Sequence, residues 1–108
     1  MAQAAADAQR VDPFTALADE HRRSILVLLS DRAMPVGEIA AVLPISRPAV
    51  SRHLAVLKSA GLVVEERRGT RHIYALHDQG VAAVEAYLNE VWRDVAGRFR
   101  ITAENTRD

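Results

Sequence analysis

Basic side chains are the groups in this chain best placed to do chemistry, and their spacing suits binding rather than catalysis. Within residues 46–62, Arg47, Ser51 and Lys58 fall on one side of a predicted helix, and Arg52 flanks them. Guanidinium and hydroxyl groups presented from one helix face can reach base edges and phosphates in a DNA major groove. An ordinary solvated face explains this helix equally well when it is considered alone.

A second basic cluster follows directly, around Gly69. The runs 63–67 and 71–76 are rich in β-prone residues, so they predict a hairpin with glycine at its tip. Arg67, Arg68 and Arg71 would then stand on a wing that can reach neighbouring phosphates or the minor groove. Edge hairpins also carry charge simply because charge resists aggregation. The polar helix immediately upstream favours the wing.

The net charge of the chain is zero, yet the charge is unevenly distributed. Residues 44–75 contain six basic and two acidic residues, a local charge of +4, and the remainder carries eight basic and twelve acidic residues, a charge of −4. Such asymmetry within one small domain predicts a basic face for a polyanion and an acidic or neutral body.

Other kinds of chemistry find little support. The chain has no cysteine, no glycine-rich phosphate loop and no Ser/His/Asp spacing that periodicity would bring together, so we expect neither an enzyme nor a cofactor. Of the four histidines, His53 lies inside the basic helix, where a DNA contact and a packed polar role fit equally well. The sequence begins without a signal-peptide pattern and no apolar run approaches the roughly 18 residues of a membrane span, so we expect a soluble cytoplasmic protein.

The helix that carries the first basic cluster has clear boundary signals. Ser46 is a favoured N-cap, Pro48 suits the first turn, and Gly61 can supply the left-handed residue that ends a helix. Apolar residues recur every three or four positions from Val50 to Leu57, which predicts a stripe facing a core.

A shorter helix precedes it at residues 36–43, where apolar residues recur at i, i+3, i+4 and i+7. Three residues, Pro44 to Ser46, separate the two helices. Two short helices joined by such a turn, the second with outward polar groups, constitute a helix-turn-helix.

We expect a single domain at residues 12–100, between a disordered tail at 1–11 and a frayed tail at 101–108. Its N-terminal part should form a short helix from Asp12-Pro13 and a second helix from Asp19 or Glu20. Residues 30–35 are predicted to be a plain connection.

The longest predicted helix, residues 78–99, carries an apolar stripe at spacings close to a heptad. A domain this small can cover only part of such a stripe, so the stripe predicts a homodimer interface. The residues assigned to that interface are Phe14, Leu17, Val84, Leu88, Val91, Trp92, Val95 and Phe99.

The order of these motifs resembles that of the ArsR/SmtB family of dimeric winged-helix transcriptional regulators. The resemblance covers residues 14 to about 99 and is carried by ALADEHRRSIL at 16–26, VGEIA at 36–40, SRPAVSRHLAVLKSAGLV at 46–63 and RGTRHIYAL at 68–76. It implies a mainly α fold with a small β-hairpin wing: a winged helix-turn-helix with four helices, the two strands of the wing and a fifth helix, in that order.

The metal sites for which the family is best known are altered in this sequence. Their positions read Pro35 and Gly37 for a Cys-x-Cys pair, and Asp78, Gly80, Val91 and Asp94 for an interfacial zinc site. Zinc prefers nitrogen and sulfur ligands, and both imidazoles and both thiolates are gone. The resemblance is therefore to cysteine-free members that do not sense metals, and we expect no metal site.

The sequence thus predicts a dimeric repressor that binds an inverted-repeat operator in double-stranded DNA, with an unknown effector. The residues assigned to base edges and nearby phosphates are Ser46, Arg47, Ser51, Arg52 and His53, and Pro48 is included among the DNA-binding residues. The residues assigned to the DNA backbone or the minor groove are Lys58, Arg67, Arg68, Thr70 and Arg71. Two alternatives share the fold: a sensor with a non-standard metal or small-molecule effector site, and a winged-helix protein–protein interaction module that does not bind DNA.

Overall fold

The computed structural model describes residues 10–105, with side chains as far as Phe99. Within these residues, five helices and three short strands follow one another. They are α1 (Pro13–Leu17), α2 (Glu20–Asp31), β1 (Met34–Pro35), α3 (Val36–Val42), α4 (Arg47–Ser59), β2 (Val63–Arg68), β3 (Arg71–Leu76) and α5 (Asp78–Asn105). The predicted mainly α architecture with a β-hairpin wing is confirmed, with one strand more than the sequence predicted.

Side-chain caps set where the first two helices begin. The carboxylate of Asp12 accepts hydrogen bonds from the N–H groups of Phe14 and Thr15, and Asp19 does the same for His21 and Arg22. Each carboxylate satisfies donors that have no partner inside the helix and sits at the positive end of the helix dipole. The short α1 and the longer α2 therefore begin where the sequence indicates.

The core lies where α2, α3 and α4 meet. Ile25 of α2, Ile39 of α3 and Leu54 of α4 are completely buried, and Leu62 and Val63 continue the core to the start of β2. Burying an aliphatic side chain of this size contributes about 1.5–3 kcal/mol. This core fixes the back of α4, so the opposite face of that helix is left for solvent or a ligand.

The strand β1 corrects the prediction that residues 30–35 are a plain connection. Met34 pairs with Tyr74 and Pro35 with Ile73, so β1 adds to β3 in an antiparallel sheet of order β1-β3-β2. Two residues are too few to show the alternation that marks a strand in sequence, and one of them is proline. The consequence is that the start of α3 is attached to the wing.

Two tail boundaries also differ from prediction. Val11, assigned to the disordered tail, packs on the core, and its N–H donates to Ser59 Oγ at 3.3 Å. At the other end α5 continues to Asn105, past the predicted boundary at residue 100. Residues 1–9 and 106–108 of the predicted tails lie outside the described residues. None of the helices between residues 10 and 105 is long and apolar enough to cross a membrane.

Candidate nucleic-acid interface

The helix α4 is held at both ends and buried along its back. Ser46 Oγ accepts a hydrogen bond from the N–H of Ala49 at 3.2 Å, as its N-cap position predicts. At the other end Gly61 has φ +76°, and the N–H of Leu62 donates to the carbonyl oxygen of Leu57 at 3.0 Å. This is the Schellman ending predicted from the sequence. A helix fixed in this way can present side chains in set directions.

The outward face of α4 carries most of the DNA-binding side chains that the sequence predicted for this helix. Arg47, Pro48, Ser51 and Arg52 are all exposed, opposite completely buried apolar residues. Ser46 is exposed as well, although its hydroxyl already caps the helix. These positions form one polar surface at the N-terminal half of α4.

His53 does not share that surface. Its side chain is only 20% exposed and faces α2, with Nδ1 at 3.4 Å from Arg22 Nη1 and 3.9 Å from Asp19 Oδ1. The same Arg22 donates through Nε to the carbonyl oxygen of Ala16 at 2.7 Å, so it links α1, α2 and α4. Of the two roles that the sequence left open for His53, the packed polar one matches this geometry. The linking role of Arg22 had no signal in the sequence.

The wing presents the second group of predicted residues. Gly69 has φ +65° at the tip of the β2–β3 hairpin, and Arg67, Arg68, Thr70 and Arg71 are exposed around it. Arg68 pairs directly with Arg71 across the two strands. Two like charges in opposite positions destabilise a hairpin, which indicates that this tip is suited to an anionic partner.

Glu65 joins the wing to the end of α4. Its carboxylate accepts a hydrogen bond from the Tyr74 hydroxyl at 2.7 Å and lies 2.9 Å from His72 Nδ1 and 3.3 Å from Lys58 Nζ. These contacts, the Tyr74 bond first, lower the pKa of Glu65 to about 2. Partial burial and the Glu65 carboxylate raise the pKa of Tyr74 to about 12. Lys58, which the sequence predicted to contact the DNA backbone, is therefore partly engaged by Glu65 within the protein.

The basic residues of this surface fall into two groups: those that pair with a carboxylate of the protein and those that do not. The acidic residues within 44–75 are Glu65, which pairs with Lys58, and Glu66, which pairs with Arg68 at 3.3 Å. Among the side chains described up to residue 99, no carboxylate pairs with Arg47, Arg52, Arg67 or Arg71. The local charge of +4 is therefore carried by four arginines on α4 and the wing.

The helix α5 leaves the core after its first turns. Every residue from 85 to 95 is exposed, and Leu88, Val91, Trp92, Val95 and Phe99 are between 42% and 76% exposed. A contiguous apolar surface of this kind marks an interaction site. Such a face on one long helix matches the predicted dimer stripe.

Other residues assigned to the interface have different surroundings. Leu17 and Val84 are partly buried and pack on the core of their own subunit, whereas Phe14 is exposed. Phe14 lies against Tyr87, with ring centroids 5.0 Å apart. Tyr87 is itself 54% exposed and extends the apolar face, although the sequence prediction did not include it. Its spacing of three from Val84 and four from Val91 was the available signal.

The positions of the family's metal sites do not fit a metal. Pro35 and Gly37 offer no side-chain donor. A Cβ at position 80 would overlap the carbonyl oxygen of Gly61, so this backbone has no room for an imidazole there. Within the described residues, no three His, Cys, Asp or Glu side chains are grouped closely enough to hold a metal ion. His72 and His77 have separate partners, Glu65 and the carbonyl oxygen of Gly61.

Comparisons with known proteins agree with this architecture. Residues 19–64 match the model of the arsR family of bacterial regulatory proteins. The chain is 49% identical over 77 residues to the HTH-type transcriptional regulator Rv2034 of Mycobacterium tuberculosis, covering 71% of this chain and 72% of the relative. It is 36% identical over 81 residues to the arsenical resistance operon repressor of Escherichia coli, covering 74% and 69% of the two chains.

A solved structure is similar over most of the chain. It is the homodimeric winged helix-turn-helix DNA-binding domain of a possible ArsR-family regulator, Mb0332 of Mycobacterium bovis, determined by NMR. The two share 32% sequence identity and a TM-score of 0.63, and the match covers 86% of this chain and 83% of the other. From its sequence and its winged helix-turn-helix fold, the chain belongs to the ArsR family of bacterial transcriptional regulators.

Proposed function

We propose that this protein is a homodimeric repressor that binds a specific inverted-repeat operator and does not respond to metals. The observation that carries the proposal is the group of four arginines without a carboxylate partner on α4 and the wing. Their charge is not used inside the described part of the chain, so it is available for a polyanion. One of the four, Arg71, also faces the like charge of Arg68 across the hairpin, and an anion bound there would reduce that repulsion.

The two halves of this surface serve different purposes. The N-terminal half of α4 enters the major groove, where Ser51 and Arg52 can reach base edges and Arg47 can reach a base edge or a nearby phosphate. Ser46 and Pro48 fix the first turn of that helix, and His53 holds its inner side against α2. The remaining contacts are made to the DNA backbone or the minor groove by Lys58, Arg67, Arg68, Thr70 and Arg71.

Dimerisation supplies a second DNA-binding surface for the second half-site of the operator. The exposed stripe of α5, with Phe14 and Tyr87 beside it, provides the apolar surface that a second copy can cover. The homodimeric state of the similar Mycobacterium bovis domain supports the same assembly. Two-fold symmetry of the protein then requires two-fold symmetry of the operator, with half-sites about one helical turn apart. As a regulator of bacterial genes, the dimer works in the cytoplasm.

The proposed metal independence rests on the residues that stand at the positions of the family's metal ligands. The chain lacks thiolates, and the backbone at Gly80 approaches Gly61 too closely for an added side chain. The remaining carboxylates at Asp78 and Asp94 suit hard cations, which bind such sparse sites weakly.

The experiment is a fluorescence anisotropy titration of the protein with the DNA upstream of its gene and with a scrambled duplex. Arg52→Ala should weaken binding to the specific DNA by roughly 1–3 kcal/mol if the guanidinium reads a guanine. Arg67→Ala should weaken both duplexes alike, because phosphate contacts carry no sequence information. Arg93→Ala, which removes the same charge from α5, is the matched control and should leave both affinities unchanged.

Two results would count against the proposal. Equal affinity for the two duplexes would remove sequence specificity, and insensitivity to both arginine substitutions would favour a protein–protein interaction module. A reporter gene behind the same upstream DNA tests repression directly, because deleting the regulator should raise its expression.

A further inference from the structure

A cleft of about 340 Å³ lies between the start of α3, the start of α4 and the tip of the wing. The side chains of Arg47, Thr70, Arg71 and His72 line it, together with Gly37 and Glu38. Three separate elements of the chain therefore converge on one opening. The cleft is at the small end of the range of ligand-binding sites, which are about 300–1,000 Å³.

The charge of this cleft is more positive than its composition suggests. Glu38 is engaged by Arg32, with Nη1 and Oε2 2.8 Å apart, and His72 is engaged by Glu65. Arg47 and Arg71 have no carboxylate partner among the side chains described up to residue 99. Two guanidinium groups thus border a cleft whose one carboxylate is already neutralised.

Gly37 keeps this cleft open beside Arg47. A Cβ placed at position 37 would lie 3.8 Å from Arg47 Nη1, which is an ordinary contact distance. The guanidinium of Arg47 therefore lies beside the backbone of Gly37, with no other side chain between them. A longer side chain at this position would occupy the space next to the guanidinium.

We propose that this cleft binds one phosphate group, shared by Arg47 from α4 and Arg71 from the wing, with the Thr70 hydroxyl as a further donor. The forked donors of arginine match the oxygens of a phosphate, and two of them can grip it from two sides. This proposal rests on the proposed function, since a backbone phosphate of the operator is one source of that group and free phosphate is the other. A bound backbone phosphate would hold the tip of the wing against the start of the recognition helix on DNA.

The number of phosphates can be counted from the salt dependence of DNA binding by the full-length dimer. Each phosphate contact contributes about 0.9 to the slope of log K against log salt concentration. The dimer has two such clefts, so the double variant Arg47→Ala/Arg71→Ala should lower the slope by about 1.8, because the two side chains of each subunit serve one phosphate. A fall of about 3.6 would assign a separate phosphate to each arginine in both subunits and overturn the proposal. The pair Arg47→Ala/Arg67→Ala is the control, in which the effects of the two substitutions should be independent.

A second pair of variants tests the cleft without removing either arginine. Gly37→Glu places a carboxylate next to Arg47, so it should compete with the phosphate and weaken DNA binding by roughly tenfold, the order expected for the loss of a charge-assisted contact. Gly37→Ala also replaces the flexible glycine but adds no charge, and its Cβ fits beside Arg47. Its affinity for DNA should therefore equal that of the unmodified protein. Equal affinities for the two variants, both folded by circular dichroism, would overturn the proposal.

NMR with inorganic phosphate in place of DNA distinguishes the two possible sources of the phosphate, the operator backbone and free phosphate. At constant ionic strength, phosphate but not chloride should shift the backbone amides of residues 37, 47, 70 and 71, and Arg71→Ala should abolish the shifts. If no DNA binds but these shifts occur, the cleft holds free phosphate and only the repressor function fails. If specific DNA binds and neither the salt slope nor the shifts respond to the two arginines, the cleft proposal fails and the repressor function stands.

Discussion

At Gly80 the start of α5 lies in close contact with the backbone at the end of α4. A Cβ built there would overlap the carbonyl oxygen of Gly61 and lie 2.9 Å from its carbonyl carbon and 3.6 Å from the Cα of Leu62. All three neighbours are backbone atoms, and they belong to the Schellman ending of α4. Because backbone cannot rotate aside as a side chain can, Gly80→Ala must push the two helices apart.

The size of the effect follows from two opposing contributions. Replacing glycine by alanine within a helix contributes about 0.5–1 kcal/mol in favour of folding. Overpacking a closed contact costs typically 1–3 kcal/mol, and a collision with backbone belongs to the upper part of that range. We therefore expect Gly80→Ala to lower the free energy of unfolding by about 1–2 kcal/mol.

Gly97 provides a matched control on the same helix. A Cβ at this position meets nothing within 4 Å, and Gly97 lies two residues from Val95, on the far side of the helix from the stripe. Gly97→Ala should therefore raise the free energy of unfolding by about 0.5–1 kcal/mol.

Urea unfolding followed by circular dichroism measures both variants. It should be repeated at several protein concentrations, because dimerisation contributes to the apparent stability. An unchanged or raised stability for Gly80→Ala, with the expected gain for Gly97→Ala, would refute the close contact between α5 and Gly61.

Three further predictions concern pH, assembly and metal. Tyr74→Phe should raise the pKa of Glu65 from about 2 toward its ordinary 4.5, because the tyrosine hydroxyl makes the largest contribution to the shift; NMR titration of the carboxyl carbon measures it, and an unchanged pKa would contradict the contact. Since the pKa of Glu65 is lowered by folding, its contribution to stability is complete above pH 4.5 and is lost as the pH falls toward 2. Val91→Glu would bury an unpaired carboxylate at a cost of several kcal/mol per ion, so sedimentation should show monomers; a variant that remains dimeric would exclude Val91 from the interface. Zinc added to the tag-free protein should leave its operator affinity unchanged; zinc-induced release of DNA would promote the sensor alternative.

The parts of the fold that could be predicted are those with local causes. Ser46, Gly61 and the buried stripe of α4 each act within a few residues of sequence, so capping and periodicity were enough to place the helix. The same holds for the wing, where Gly69 and the flanking β-prone runs define the hairpin. The basic character of the wing could be predicted from the composition of this segment alone.

The parts that could not be predicted depend on contacts between distant residues. Strand β1 exists because Met34 reaches Tyr74, and two residues carry no periodic signal of their own. The inward position of His53 is set by Arg22 and Asp19 from another helix. Val84 has the same spacing as the exposed residues of its stripe, yet it packs on the core because α5 begins beside Leu62 and only later leaves the domain. Periodicity identifies an apolar face but not the point at which a helix departs from its own core.

The junction at Gly61 joins the two functions assigned to this molecule. The N–H of His77 donates to the carbonyl oxygen of Leu62, and its Nδ1–H donates to that of Gly61, both at 2.9 Å. With Gly80 against the same backbone, the dimerisation helix is attached where the recognition helix ends. In the proposed dimer, the separation of the two recognition helices is therefore set by how α5 leaves Gly61 and how the two copies of α5 cross. The wing cannot compensate for a change there, because Glu65 and strand pairing hold it to α4 and to the start of α3. A shift at this junction would displace both half-site contacts together without altering a single side chain that touches DNA.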